Sequence, residues 1–123
     1  MDTETPGDAP SDGEFSVQVG DSGNLVVIAP NGELDIATTP ELADAFAASS
    51  GGDVVVDLRG VSFMDSSGIA CVLEAWRVST ETGGRLRAVE GPPEVQRVLG
   101  LVALDRQLDW VDPPEPVSWR DAA

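Results

Sequence analysis

Residues 54–69, Val-Val-Val-Asp-Leu-Arg-Gly-Val-Ser-Phe-Met-Asp-Ser-Ser-Gly-Ile, constrain the fold of this chain more than any other stretch. Three valines and Leu58, bounded by Gly51-Gly52 and Gly60, fit a strand covered on both faces. A short return strand follows. After Gly68 the period changes: Ile69, Val72, Leu73 and Trp76 fall at i, i+3, i+4 and i+7, one face of a helix. Ser66 or Ser67 is therefore expected at the N-cap, where unpaired backbone N–H groups and the positive end of the helix dipole collect. A hydroxyl held there can cap the helix, act as a nucleophile or accept a phosphate.

The flanking sequence supplies the partners of that unit. Phe15, Val17 and Val19 alternate with polar residues as in a half-buried strand. Turn chemistry at residues 21–24 leads into a more buried strand over 25–29, pairing with the first as a hairpin. A tight turn is expected at Asn31-Gly32. Thr39 reads as an N-cap, with Pro40 at the first helical position and Glu41 in the first turn. That helix presents Leu42, Ala45, Phe46 and Ser49 inward and ends at Gly51-Gly52. The serine-led helix runs over 66–81 and closes at Gly83-Gly84. A strand over 85–90, a helix opened by Pro92-Pro93 and stopped by Gly100, and a short strand or extended edge over 108–111 complete the pattern.

Strands alternating with helices after an initial hairpin imply an α/β fold. The expected form is one domain over 14–112, with a mixed β-sheet of four to five strands and helices packed against it. Residues 1–13 carry four acids and no aliphatic side chain larger than alanine apart from Met1, and read as a disordered acidic arm. Residues 113–123 read as a Pro-rich tail, loose from Val117 onward.

Composition removes most chemistry. Of 123 residues none is histidine or lysine, and Cys71 is the single cysteine. A serine nucleophile has no imidazole or amine to activate it. One thiol without imidazole cannot form a zinc-type ligand set, and no loop has EF-hand oxygen spacing. A net charge of −15 opposes binding to nucleic acid and to anionic membrane surfaces. No apolar run approaches bilayer length and the N-terminal stretch lacks a basic, hydrophobic signal pattern. The expectation is a cytoplasmic, non-enzymatic protein without cofactor or metal.

Taken together, Gly32-Glu33-Leu34-Asp35, residues 54–58 and Phe63-Met64-Asp65-Ser66-Ser67-Gly68 resemble the STAS domain, and more narrowly the bacterial anti-sigma factor antagonists. The resemblance spans about residues 14–112. It implies a STAS-type fold and a partner that is both an anti-sigma factor and a serine kinase of the GHKL ATPase type. Binding that partner releases a sigma factor. Phosphorylation of the serine directly after Asp, here Ser66, switches the antagonist off, and a metal-dependent serine phosphatase restores it. The implied partner surface comprises Gly32, Glu33, Leu34, Asp35, Asp65, Ser66, Ser67 and Gly68. The alternative within the same fold is a scaffold or accessory subunit of a signalling or transport complex, without a phospho-switch.

Other residues have plainer readings. Cys71 lies one residue outside the inner stripe and reads as a small packed side chain. Asp57 ends a buried strand and reads as structural, and Trp76 as core. Trp119 either docks on the domain or makes a contact. Glu74 and Arg77 are either solvated or part of an interface.

Overall fold

The computed structural model describes residues 14–120. The proposed acidic arm over 1–13 lies outside these residues. In chain order the elements are β1 (Ser16–Ser22), β2 (Leu25–Leu34), α1 (Thr39–Ala48), β3 (Asp53–Asp57), β4 (Val61–Met64), α2 (Ser66–Thr82), β5 (Arg85–Val89), α3 (Pro93–Leu101), a 3₁₀ turn (Leu104–Arg106), β6 (Asp109–Trp110) and β7 (Ser118–Trp119).

The sheet is mixed, with strand order β6-β5-β3-β2-β1-β7 and β4 paired to β2 off this path. The hairpin β1–β2 is antiparallel, whereas β3, β5 and β6 join in parallel. The expected four to five strands correspond to the long central ones. The short return strand appears as β4 and the strand near 108–111 as the two-residue β6, whereas β7, in the segment read as a tail, was not expected.

Register explains which side chains meet. Val54 lies between Val26 and Leu86, and Val56 between Ile28 and Ala88, so this set shares one sheet face. Leu42 from α1, Val72 from α2, and Val95 and Leu99 from α3 join it in one hydrophobic cluster. Leu42, Val56, Val72 and Leu99 are fully buried, each contributing about 1.5–3 kcal/mol of transfer free energy. The alternate residues Val27, Ala29 and Val55 form the opposite face and are also buried.

That opposite face is closed by the C-terminal segment, which corrects the expectation of a loose tail from Val117 onward. β6 lies on one edge of the sheet and β7 on the other. Crossing five inter-strand spacings requires ~24 Å, and the eight residue steps from Trp110 to Ser118 reach only ~26 Å when extended. The link is therefore largely extended over residues 111–114 and bends at Glu115 and Pro116, which a cis peptide bond joins. At its end β7 pairs with β1, placing Trp119 opposite Gly20. A Cβ on Gly20 would lie 2.8 Å from the Trp119 ring and 2.8 Å from Val117, so only glycine admits this approach. The backbone N–H of Arg120 donates to the Val19 carbonyl (2.8 Å), and its guanidinium grips Asp21 with Nη2–Oδ1 at 2.8 Å. Trp119 therefore docks on the domain.

Four local expectations also change. The chain does not turn at Asn31-Gly32: β2 continues to Leu34 and exchanges partners. Its parallel ladder with β3 ends at Ile28, and the ladder with β4 begins at Gly32. Pro30, lacking an N–H, sits in the gap between the two. Gly32 adopts φ 111° at the register shift and donates to the Gly60 carbonyl at 2.9 Å. Thr38, not Thr39, is the N-cap of α1. Gly100 lies within α3, which stops one residue later. Leu73 is 44% exposed, whereas Ile69 and Trp76 pack against the core.

Candidate functional site

The site gathers at the ends of β2 and β4 and the start of α2. The two strands pair in parallel, with Glu33 opposite Phe63 and Leu34 opposite Met64. Beyond them the backbone N–H of Asp65 donates to the Leu34 carbonyl (3.2 Å). The Gly32–Asp35 segment and the Asp65–Gly68 segment, distant in sequence, thus form one continuous corner.

Asp65, rather than Ser66 or Ser67, caps α2. Its Oδ1 accepts from the backbone N–H of Ser67 at 2.8 Å and of Gly68 at 3.4 Å. An extended backbone at Asp65 aims the carboxylate back over the first turn, and the charge complements the helix dipole. Ser66 is consequently the first helical residue and is exposed. Its hydroxyl is free of the capping role that its position suggested. Two of the N–H groups that would greet a phosphate are already taken by Asp65.

Gly68 is required by packing. A Cβ there would approach Met64 Cγ to 2.7 Å, Leu34 Cβ to 3.0 Å and the Leu34 carbonyl to 3.3 Å. The glycine lets the first turn of α2 lie directly on the strand ends, which holds Ser66 at a fixed height above the sheet.

Asp35 organises the neighbouring loop. Its Oδ1 accepts from the N–H groups of Ala37 (3.0 Å) and Thr38 (3.1 Å), while the Thr38 hydroxyl donates to the Glu33 carbonyl at 2.7 Å. This self-capped turn stiffens the connection to α1. Asp57 ends β3 and is 1% exposed, its carboxylate held by Arg59 through Nη2–Oδ2 at 2.8 Å and Nε–Oδ1 at 3.1 Å. Hydrogen bonding to Asp57 raises the Arg59 pKa further above its ordinary value. Asp57 is a structural ion-pair partner.

Of the eight expected surface residues, Leu34 and Gly68 are buried and act through the backbone and packing they fix. Glu33 and Ser66 are exposed, and Gly32, Asp35, Asp65 and Ser67 are partly so. Three apolar residues near the corner are exposed against expectation: Ile36 (79%), Phe63 (48%) and Leu73 (44%), the last read from the sequence as facing inward. Ile36 follows Asp35, Phe63 pairs with Glu33, and Leu73 lies two helical turns beyond Ser66 on the same face. The missed signal was local. Ile36 stands outside any periodic run, and Phe63 sits in a strand too short to reveal alternation.

Among the described residues no cluster of His, Cys, Asp and Glu can hold a metal ion, and no helix is long and apolar enough to cross a membrane. Residues 17–111 match the family model described as "Mlab, STAS domain". An anti-sigma F factor antagonist of Paenibacillus polymyxa is 26% identical over 84 residues, covering 65% of this chain and 72% of that protein. The crystal structure of an anti-sigma factor antagonist from Mycobacterium paratuberculosis superposes with TM-score 0.67 at 27% identity, over 85% of this chain and 90% of that one. The anti-sigma factor antagonist SpoIIAA in its unphosphorylated form shares the fold with TM-score 0.66 at 24% identity, over 81% and 90% of the two chains. The chain belongs to the STAS domain family.

Proposed function

We propose that this protein is a non-enzymatic anti-sigma factor antagonist, inactivated by phosphorylation of Ser66. Its partner is an anti-sigma factor that doubles as a GHKL-type serine kinase, and a metal-dependent serine phosphatase reverses the modification. The single observation that carries the reading is Ser66 itself. It is an exposed first-turn serine whose capping duty has been assumed by Asp65, at the corner where both family segments meet. The antagonist relatives lend it further support.

The chemistry of such a switch is local. A phosphoserine adds about −1.5 to −2 charges, little against a chain at −15. Screening removes its field beyond ~8 Å in physiological salt. Inactivation therefore acts at the contact. A partner surface shaped for a neutral hydroxyl meets a bulky dianion beside Asp65. The fold survives, because the helix dipole and the N–H of Ser66 itself still favour an anion there.

The test is a pull-down from native lysate with wild type and Ser66→Glu. Capture of a GHKL-type ATPase by wild type, lost in the variant, is the expected result. Capture of a membrane-transport or scaffold complex unchanged by the substitution would replace this reading with the accessory-subunit alternative.

A further inference from the structure

We propose that the groove between α1 and α2 is a binding site for an uncharged, mainly apolar small molecule carrying a hydroxyl or carbonyl head. The proposal rests on the groove alone and not on phosphorylation of Ser66. Its volume is about 650 Å³, within the ~300–1,000 Å³ range of small-molecule sites.

The sequence creates this space. Ala43 and Ala47 on α1 and Ala70 and Ala75 on α2 line it with short side chains, which leave space beyond the point where the Cys71 thiol of α2 reaches the Thr39 carbonyl of α1 at 3.9 Å. The gap reaches the sheet. Its floor is Val54 and Leu86, which are direct partners in the β3–β5 ladder. At 7% and 5% exposure these are the two most accessible residues of the core.

The groove is also held open. At one end α1 is fastened by the Asp35–Thr38 hydrogen bonds. At the other, the loop after α1 meets the loop after α2, where the Arg85 N–H donates to the Gly52 carbonyl at 3.1 Å. A Cβ on Gly84 would lie 2.6 Å from that same carbonyl oxygen, so the two backbones are in direct contact. With both ends fixed, the helices do not close over this apolar surface, and an apolar molecule that displaces water from it gains by the area it covers.

The lining selects the occupant's chemistry. Its polar groups are mostly hydroxyls, with Ser67 and Thr39 towards the start of α2 and Ser49 and Ser79 towards the opposite end. Glu74 is the lone charged residue of the lining, and Arg77 engages it at 2.6 Å. No cation lines the groove, so nothing there rewards a carboxylate or phosphate, and the negative field of the protein opposes both. Hydroxyls at the ends of an apolar trough suit a neutral amphiphile.

The experiment titrates the full chain with Nile red and displaces the dye with 1-decanol or decanoate at neutral pH. Saturable one-to-one dye binding, displaced by decanol and weakened about tenfold or more by Ala47→Phe, is expected. Ala43→Leu fills the same wall and replaces Ala47→Phe should that variant fail to fold. In wild type, decanol should shift the NMR methyl signals of Ala43, Ala47, Ala70 and Ala75. Unsaturable binding, affinity unchanged by filling the groove, or methyl shifts confined to other regions would overturn the site. Displacement by decanoate as effective as by decanol would overturn the neutral ligand class.

Discussion

The backbone N–H of Asp65 donates to the carbonyl of Leu34, fastening the cap of α2 to the last residue of β2. Asp65 spends its side chain on the first turn of the helix and its main chain on the sheet. Ser66 is thereby presented on a rigid corner, and the consequences are measurable.

Asp65→Ala removes the acceptor for two helical N–H groups and should cost about 1 kcal/mol of stability. Asp65→Asn retains a capping oxygen and should lose less. Urea unfolding of the two variants checks the order, and equal losses would contradict the capping role.

Gly68→Ala sets two effects against each other. Alanine is better than glycine in a helix by ~1 kcal/mol, but its Cβ meets Met64 and Leu34 at 2.7 and 3.0 Å. Overpacking of this kind costs about 1–3 kcal/mol, so net destabilisation is expected. A raised melting temperature would show that the corner yields freely.

Cys71 should be a sluggish nucleophile. Burial pushes its thiol pKa from 9.0 up to about 11. The unfolded chain releases this proton first, so the associated stability is fully present below pH 9.0. It is lost as the pH rises to and through about 11. The thiol is only half-buried, and solvent screening holds the loss to about 1 kcal/mol. Cys71→Ala should flatten this part of the pH–stability curve, and iodoacetamide should label native Cys71 more slowly than the unfolded chain at about pH 8.

Gly20→Val should eject the C-terminal segment, because its side chain would collide with Val117, Ser118 and Trp119. The Asp21–Arg120 pair is exposed and cannot retain the segment by itself. A changed Trp119 emission, lower stability and self-association through the uncovered Val27–Val55 face are expected, read by fluorescence and light scattering. Hydrogen bonding to Arg120 lowers the Asp21 pKa, so this pair acts above the ordinary carboxylate range and weakens as acid neutralises Asp21.

Leu73→Glu should leave the fold intact, since this side chain is half-exposed, yet under the proposed function it should weaken capture of the proposed anti-sigma partner. Unchanged melting with weakened capture of that partner is the expected pair of results. Retained capture would move the interface away from this face of α2.

Periodicity and punctuation made much of this fold legible. The Val54–Leu58 run, the change of period after Gly68 and the glycines at 83 and 84 indicated β3, α2 and its end. The Asp-Ser-Ser-Gly order indicated the candidate corner. These signals are local: alternation or helical spacing reports burial one residue at a time, and a cap involves only neighbours in the chain.

Other features depended on groups far apart in sequence. Asn31-Gly32 carries the letters of a turn, but β2 runs on because β4 arrives to replace β3 as its partner. Ser66, Ser67 and Asp65 are all good caps by type, and the extended backbone of Asp65, tied to Leu34, decided among them. The polar, proline-rich composition of 113–120 suggests no packing, yet the opposite edges of the sheet force it across a buried face. The sequence by itself determined the elements, the absence of histidine and lysine chemistry, and the serine corner. Tertiary structure decided the cap, the docked tail and the groove, because each depends on contacts between segments whose proximity no local pattern encodes.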